Sequence, residues 1–237
     1  MQEHNTKSSG TLYVVATPIG NLDDFSSRAL SVLRSVDIIL AEDTRNFGRL
    51  AKRFEISTKA LSYHDHNESS RAQDILAQLA QGKSAALVSD AGTPTLSDPG
   101  YRIVKACREA DVSVIPIPGP SAAIAALSVS GFETDRFSFF GFLPQKPGKR
   151  EKTVREALAS ECCVILYESV HKICKTLGLI ASIEPQRDLF LAREMTKIHE
   201  EYLSGTAKEL AGELESRSSV KGEFVLIIRG AKHSTAS

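Results

Sequence analysis

Two short segments put titratable side chains directly after apolar runs. Ala41-Glu42-Asp43-Thr44-Arg45 closes one run, and Ser62-Tyr63-His64-Asp65-His66-Asn67-Glu68 closes the next. A charged group at the end of a buried strand is costly if it is merely buried, so it either faces solvent or lines a site. Helix capping accounts for part of the pattern, with Asp43 or Thr44 before one helix and Asn67 or Glu68 before another. Capping explains a single acid per loop and leaves Glu42, Arg45, His64 and His66 over, a polar set suited to holding a substrate. A third set, Tyr167-Glu168-Ser169 with His171 and then Arg193-Glu194-Met195-Thr196-Lys197, lies in the second half. There Glu194 and Lys197 form either a local surface ion pair, worth little, or part of a site.

Three further transitions join apolar runs to tight turns. Leu12-Tyr13-Val14-Val15 leads to Thr17-Pro18-Ile19-Gly20, and Ala85-Ala86-Leu87-Val88 leads to Ser89-Asp90-Ala91-Gly92-Thr93-Pro94-Thr95-Leu96-Ser97-Asp98-Pro99-Gly100. Val112-Ser113-Val114-Ile115 leads to Pro116-Ile117-Pro118-Gly119-Pro120-Ser121-Ala122. Glycine lets backbone approach a ligand closely and proline stiffens the turn. Such strand ends share one edge of an α/β sheet, where ligands bind. Their small side chains, hydroxyls and backbone groups suit a neutral or cationic small molecule.

These residues must be carried by alternating elements. Strands are expected at 11–16, 37–41, 58–62, 84–88 and 112–116, with amphipathic segments such as 25–35 and 70–80 between them. That alternation predicts a mostly parallel sheet with helical crossovers. After a break near 129–135, an aromatic strand at 137–142 and a basic loop 143–150 open a second alternation. It has strands at 163–167, 189–193, 199–204 and 223–229 and helices at 150–159, 169–181 and 206–215. The close spacing of the last three strands predicts antiparallel pairing. The expected organisation is two α/β domains, 11–122 and 123–230, with a cleft between them, flanked by flexible segments 1–10 and 231–237.

Composition narrows the classes. The chain has 237 residues, 42% of them hydrophobic, and 29 basic against 29 acidic side chains. A free nucleic-acid-binding protein usually has a basic excess, so RNA would have to meet local patches or be presented within an assembly. The four cysteines, Cys107, Cys162, Cys163 and Cys174, lack disulfide or zinc spacing and read as reduced thiols. His64-Asp65-His66 has no second His or Cys cluster to complete a metal site, so no metal is expected. No apolar signal core or spanning run is present, which reads as a cytosolic protein. G-x-G-x-x-G after the first strand, G-x-x-x-x-G-K-[ST] and G-x-S-x-G are all missing, against a dinucleotide fold, a P-loop NTPase and an α/β-hydrolase.

The segments Ala16–Leu22, Ala41–Arg45, Tyr63–Glu68, Val88–Gly100, Pro118-Gly119-Pro120, Phe140–Pro144, Tyr167-Glu168-Ser169 and Arg193–Lys197 together resemble one family. It is the ribosomal RNA small subunit methyltransferase I family of the tetrapyrrole-methylase superfamily. The resemblance runs from about Thr11 to Gly230. It implies a two-domain fold, S-adenosylmethionine as methyl donor, and 2′-O-methylation of a cytidine ribose in 16S ribosomal RNA, with a homodimer acting on the small subunit. It places the donor against Pro18, Ala91, Gly92, Thr93, Leu96, Ser121 and Ala122, with Glu168 and Met195 on the second-domain side. Two departures stand out. Ala16 replaces a frequent proline, and the chain stops soon after Gly230, where relatives continue into a helical extension.

A ribose hydroxyl is a poor nucleophile, so a base working near neutral pH helps its transfer chemistry. His64, His66 and a deprotonated Lys197 are the candidate bases, with Glu42 and Asp43 orienting the base or holding the ribose. Lys146, Lys149 and Arg150, beside Phe140 and Phe142, are the candidate RNA contacts together with Arg45. The competing readings are a methyltransferase of the same fold acting on a tetrapyrrole or another small molecule, and a non-catalytic ribosome-assembly module.

Overall fold

The computed structural model describes residues 10–231. Of the terminal segments expected to be flexible, residues 1–9 and 232–237 lie outside the described residues. The chain divides between Ser121 and Ala122 into two units. The first runs β1 (Thr11–Val15), α1 (Ser27–Ser35), β2 (Ile38–Ala41), α2 (Thr44–Arg53), β3 (Ala60–Ser62), α3 (Glu68–Ala80), β4 (Ala85–Val88), α4 (Tyr101–Glu109) and β5 (Ser113–Ile117).

Its strands lie in the order β3-β2-β4-β1-β5 and every neighbouring pair is parallel. Parallel neighbours need a crossover, and each helix supplies one. Because side chains alternate across a strand, each face of the sheet has its own core. Val15, Ile39, Ala86 and Val88 pack with Leu33 and Phe47 of α1 and α2. Leu12, Leu40 and Leu87 pack with Ile75, Leu79 and Ile103 of α3 and α4. Pro116, which cannot donate to a ladder, sits on the edge strand β5. All five carboxyl ends therefore emerge on one edge, and the loops carrying the polar and glycine-rich motifs emerge with them.

The second unit runs α5 (Ala122–Val129), β6 (Phe137–Phe142), α6 (Pro147–Ala159), β7 (Cys163–Ser169), α7 (Ile173–Ile183), β8 (Asp188–Arg193), β9 (Glu201–Thr206), α8 (Ala207–Ser216) and β10 (Glu223–Ile228). The strand order is β6-β7-β10-β8-β9. Only β6 and β7 pair in parallel; β8, β9 and β10 are antiparallel, as their spacing predicts. Leu166, Leu191 and Leu226 stand side by side across three strands and pack against α6, α7 and α8. Thr206 caps α8 in a reciprocal box with Glu209. The four cysteines are free thiols. No helix among the described residues is long and apolar enough to cross a membrane.

Candidate active site

Backbone and hydroxyl bonds tie the loops of the first sheet together. Thr17 and Gly92 exchange two backbone hydrogen bonds, Thr17 N to Gly92 O at 2.9 Å and Gly92 N to Thr17 O at 3.0 Å. The Thr17 hydroxyl donates to Ser89 O at 3.2 Å, and the Thr93 hydroxyl donates to Pro120 O at 3.0 Å. The β1, β4 and β5 loops thus behave as one body. Gly92 has φ +80°, a left-handed conformation that a side chain would strain. Thr95 and Ser97 hold φ +75° and +68° without being glycine, so this loop keeps backbone strain at the sheet edge.

Pro18 and Gly92 are buried, Thr93, Ser121 and Ala122 are half-buried, and Ala91 and Leu96 are exposed. Ser121 buries a hydroxyl that has no hydrogen-bond partner, whereas the buried Ser89 hydroxyl serves the Asp98 carboxyl. Orphaned buried hydroxyls are uncommon in folded proteins and mark places where a ligand supplies the missing bond. Ser121 lies on the loop that leaves β5, so the residues fit a small polar ligand at this edge.

The β2 and β3 loops add a ring of acids. Asp43 N donates to Asp90 Oδ1 at 3.2 Å, Asn46 Nδ2 donates to Asp90 Oδ2 at 2.8 Å, and Asp90 N approaches Glu42 Oε2 at 3.4 Å. Burial pushes the Glu42 carboxyl up, and the neighbouring Asp90 and Asp65 charges add to it. Asp98 is pushed up to about 6, first by burial and then by the charges of Glu42, Asp90 and Asp65. Asp43 behaves oppositely. It caps α2 by accepting from Arg45 N at 2.8 Å, and it is chelated by the Arg45 side chain at 2.7 Å. Those bonds hold its carboxyl far below the usual range. Asp43 is therefore taken up by the α2 cap and by Arg45, and Arg45 is exposed but engaged.

His64 is held by Asn67, whose Oδ1 accepts from His64 N at 2.9 Å and whose Nδ2 donates to Ser62 O at 3.3 Å. That fixes the amide, so Nδ2, 3.2 Å from His64 Nε2, donates there as well. The His64 Nε2 lone pair is used and the proton sits on Nδ1, a buried atom without a partner. The Nε2 lone pair is thus engaged by Asn67, which counts against His64 as the free base expected from the sequence. His66 is exposed and meets the His64 ring edge-on at 5.9 Å.

Three second-half expectations are also corrected. Lys197 Nζ lies 2.9 Å from both Glu194 and Glu223. Burial opposes its charge, but these hydrogen bonds prevail and raise its pKa, so it is a protonated ion-pair member and not a deprotonated base. Arg150 is buried rather than presented to RNA: its Nη1 donates to Thr176 Oγ1 at 3.0 Å and faces Glu168 Oε1 at 3.3 Å. Glu168 is spent on the same trio, accepting from Thr176 Oγ1 at 2.6 Å and from Ser169 N at 3.1 Å. Its carboxylate, on a residue only 3% exposed, braces α6 and α7 through Arg150 and Thr176. Lys146 and Lys149 remain exposed. Phe142 is open, edge-on to Tyr167 at 5.6 Å, whereas Phe140 packs against the core. Met195 is buried between Glu194 and Thr196, both at positive φ.

Asp98 is not among the candidate bases expected from the sequence. The usable signal was an acid inside a glycine- and proline-rich loop that leaves a wholly apolar strand.

Comparison with known proteins bears on the family and the fold. The family described as tetrapyrrole (corrin/porphyrin) methylases matches residues 11–211. Three similar curated proteins are each named ribosomal RNA small subunit methyltransferase I. The one from Synechocystis is 49% identical over 94% of this chain and 80% of its own length. That from Escherichia coli O157:H7 is 46% identical over 98% and 82%, and that from Vibrio cholerae 48% over 97% and 81%. Among solved structures, uroporphyrin-III-C-methyltransferase from Thermus thermophilus superposes with TM-score 0.61 over 94% of both chains. At 21% identity, that likeness concerns the fold.

Proposed function

Since the chain belongs to the tetrapyrrole methylase family, within its ribosomal RNA small subunit methyltransferase I branch, we propose that it methylates the ribose 2′-hydroxyl of a cytidine in 16S ribosomal RNA. The observation that carries this reading is near-half identity to proteins of that name over almost the whole chain. The donor is S-adenosylmethionine, whose sulfonium makes the methyl carbon electrophilic without a metal.

We assign the donor side to Pro18, Ala91, Gly92, Thr93, Leu96, Ser121 and Ala122. The unpartnered hydroxyl of Ser121 supplies a hydrogen bond there. The acids around it set a negative local field, which suits a cationic donor. Positioning delivers much of the rate in such a transfer, and the tied β1, β4 and β5 loops are rigid enough to provide it. Asp98 and Glu42, whose carboxyls burial and neighbouring acids push up, take over the base role expected of His64 and Lys197. His64 Nδ1–H then orients the hydroxyl. We further propose a cytoplasmic homodimer that acts on the assembled small subunit, because a chain of zero net charge gains from a partner that presents the RNA.

Labelled methyl donor incubated with small subunits, naked 16S ribosomal RNA or a tetrapyrrole decides among the readings. Label in a cytidine ribose of the subunit is the expected result. Label only in the tetrapyrrole, or in nothing, overturns it. Sedimentation at two protein concentrations tests the dimer.

A further inference from the structure

The helix that starts at the acidic edge is charged on one side only. Within Thr44–Arg53, α2 carries Arg45, Arg49, Lys52 and Arg53 and no acid. Phe47, Leu50 and Ala51 pack against the first core. The spacing i, i+4, i+7, i+8 puts the four cations on the opposite face. Arg49, Lys52 and Arg53 are exposed, and among the described residues they have no ion pair or hydrogen bond.

Lys52 and Arg53 suit the carboxyl end of a helix dipole, which is the purely structural account of two of them. It does not account for Arg49, nor for the like-charge pairs Arg45/Arg49 and Arg49/Arg53 at i, i+4, which weaken a helix. In a chain with 29 acids available to balance 29 bases, a helix face left without acids has kept its charge for an outside anion. The stripe begins at Arg45, pinned by Asp43 at the sheet edge, and extends about 12 Å away from it along the axis.

We propose that the α2 stripe of Arg49, Lys52 and Arg53 is a binding track for the phosphodiester backbone of the RNA substrate, leading toward the carboxyl edge of the first sheet. This rests on the reading of the protein as a ribosomal RNA methyltransferase. Cations meeting phosphates release counterions, so the track leaves a signature in salt dependence.

The test uses the full chain with R49Q/K52Q/R53Q, since glutamine preserves helix propensity. Affinity for 16S ribosomal RNA or small subunits is measured from about 50 to 200 mM salt, beside donor affinity and thermal melting. Expected are a ten- to hundredfold loss of RNA affinity at the low-salt end and a log–log slope shallower by about 2–3, near one per lost contact. KM for RNA rises while kcat at saturating RNA and donor affinity stay near wild type. R49K/R53K should restore the slope. If the triple variant melts early, single R49Q and R53Q must each flatten the slope by about 0.7–0.9. An unchanged slope and KM in variants that fold overturns the track while leaving the methyltransferase reading intact. A wild-type chain that neither binds nor methylates RNA overturns both.

Discussion

Asp98 shows how a site residue can be useful and destabilising at once. Its carboxyl rises from the ordinary 3.8 to about 6, chiefly through burial and then through Glu42, Asp90 and Asp65 on the neighbouring loops. Between those two values the folded chain holds a proton that the unfolded chain releases. Stability therefore falls as pH climbs through this window, and the full penalty is present above about 6. Asp98→Asn should raise unfolding free energy at pH 8 by about 1–2 kcal/mol, after discounting for the exposed part of the side chain, and change it little below about pH 4. The same substitution should abolish methylation with donor affinity preserved, and the wild-type rate should fall as pH drops through about 6. Denaturant titration at both pH values and a pH–rate profile check these points. A stability gain without loss of turnover would remove Asp98 from the chemistry. The buried trio behaves differently. Glu168→Ala strands the Arg150 charge and should cost about 3 kcal/mol or more. Replacing Glu168 and Arg150 together by apolar residues should recover much of that loss in the same titration.

At the level of elements, glycine positions separate what geometry demands from what it tolerates. Gly100, the N-cap of α4, has φ +127°, and an added Cβ would stand 2.4 Å from Leu87 Cδ2. Gly100→Ala should lose about 2 kcal/mol or more, through strain and overpacking against a buried strand. Gly48 lies inside α2 with nothing within 4 Å of a Cβ, so Gly48→Ala should gain about 0.5–1 kcal/mol. Melting the two variants side by side checks both signs. The elements themselves were largely legible in the sequence. Ala85–Val88 is a short apolar run buried at every position, and the aromatic strand Phe137–Phe142 lies where its residues place it. The edge loops were legible too, because glycine and proline announce them. The short helix α5 was harder: Ala122–Val129 is apolar nearly all round and offers no amphipathic period. Pairings between distant loops were not legible at all. Nothing local in Arg150 says that it turns inward to Thr176 and Glu168, and Asn67 fixes His64 only once the turn between them has formed.

At the scale of the molecule, the two units carry separate cores. Leu33, Ile39 and Ile75 belong to the first, and Leu166, Leu191 and Leu226 to the second. Cores that share no residue can open separately, so the chain is expected to depart from two-state unfolding, with a calorimetric enthalpy exceeding the van't Hoff value. A ligand stabilises whatever binds it by RT ln(1 + [L]/Kd), about 2.7 kcal/mol at a hundredfold excess over Kd. S-adenosylmethionine should therefore raise the transition of the first unit, whose loops carry Gly92, Thr93 and Ser121. Ser121→Ala and Thr93→Val should each shrink that shift, Thr93→Val by freeing Pro120 O as well. Scanning calorimetry with and without donor reads both effects. A donor that moves neither transition would detach the whole set of edge loops from methyl transfer.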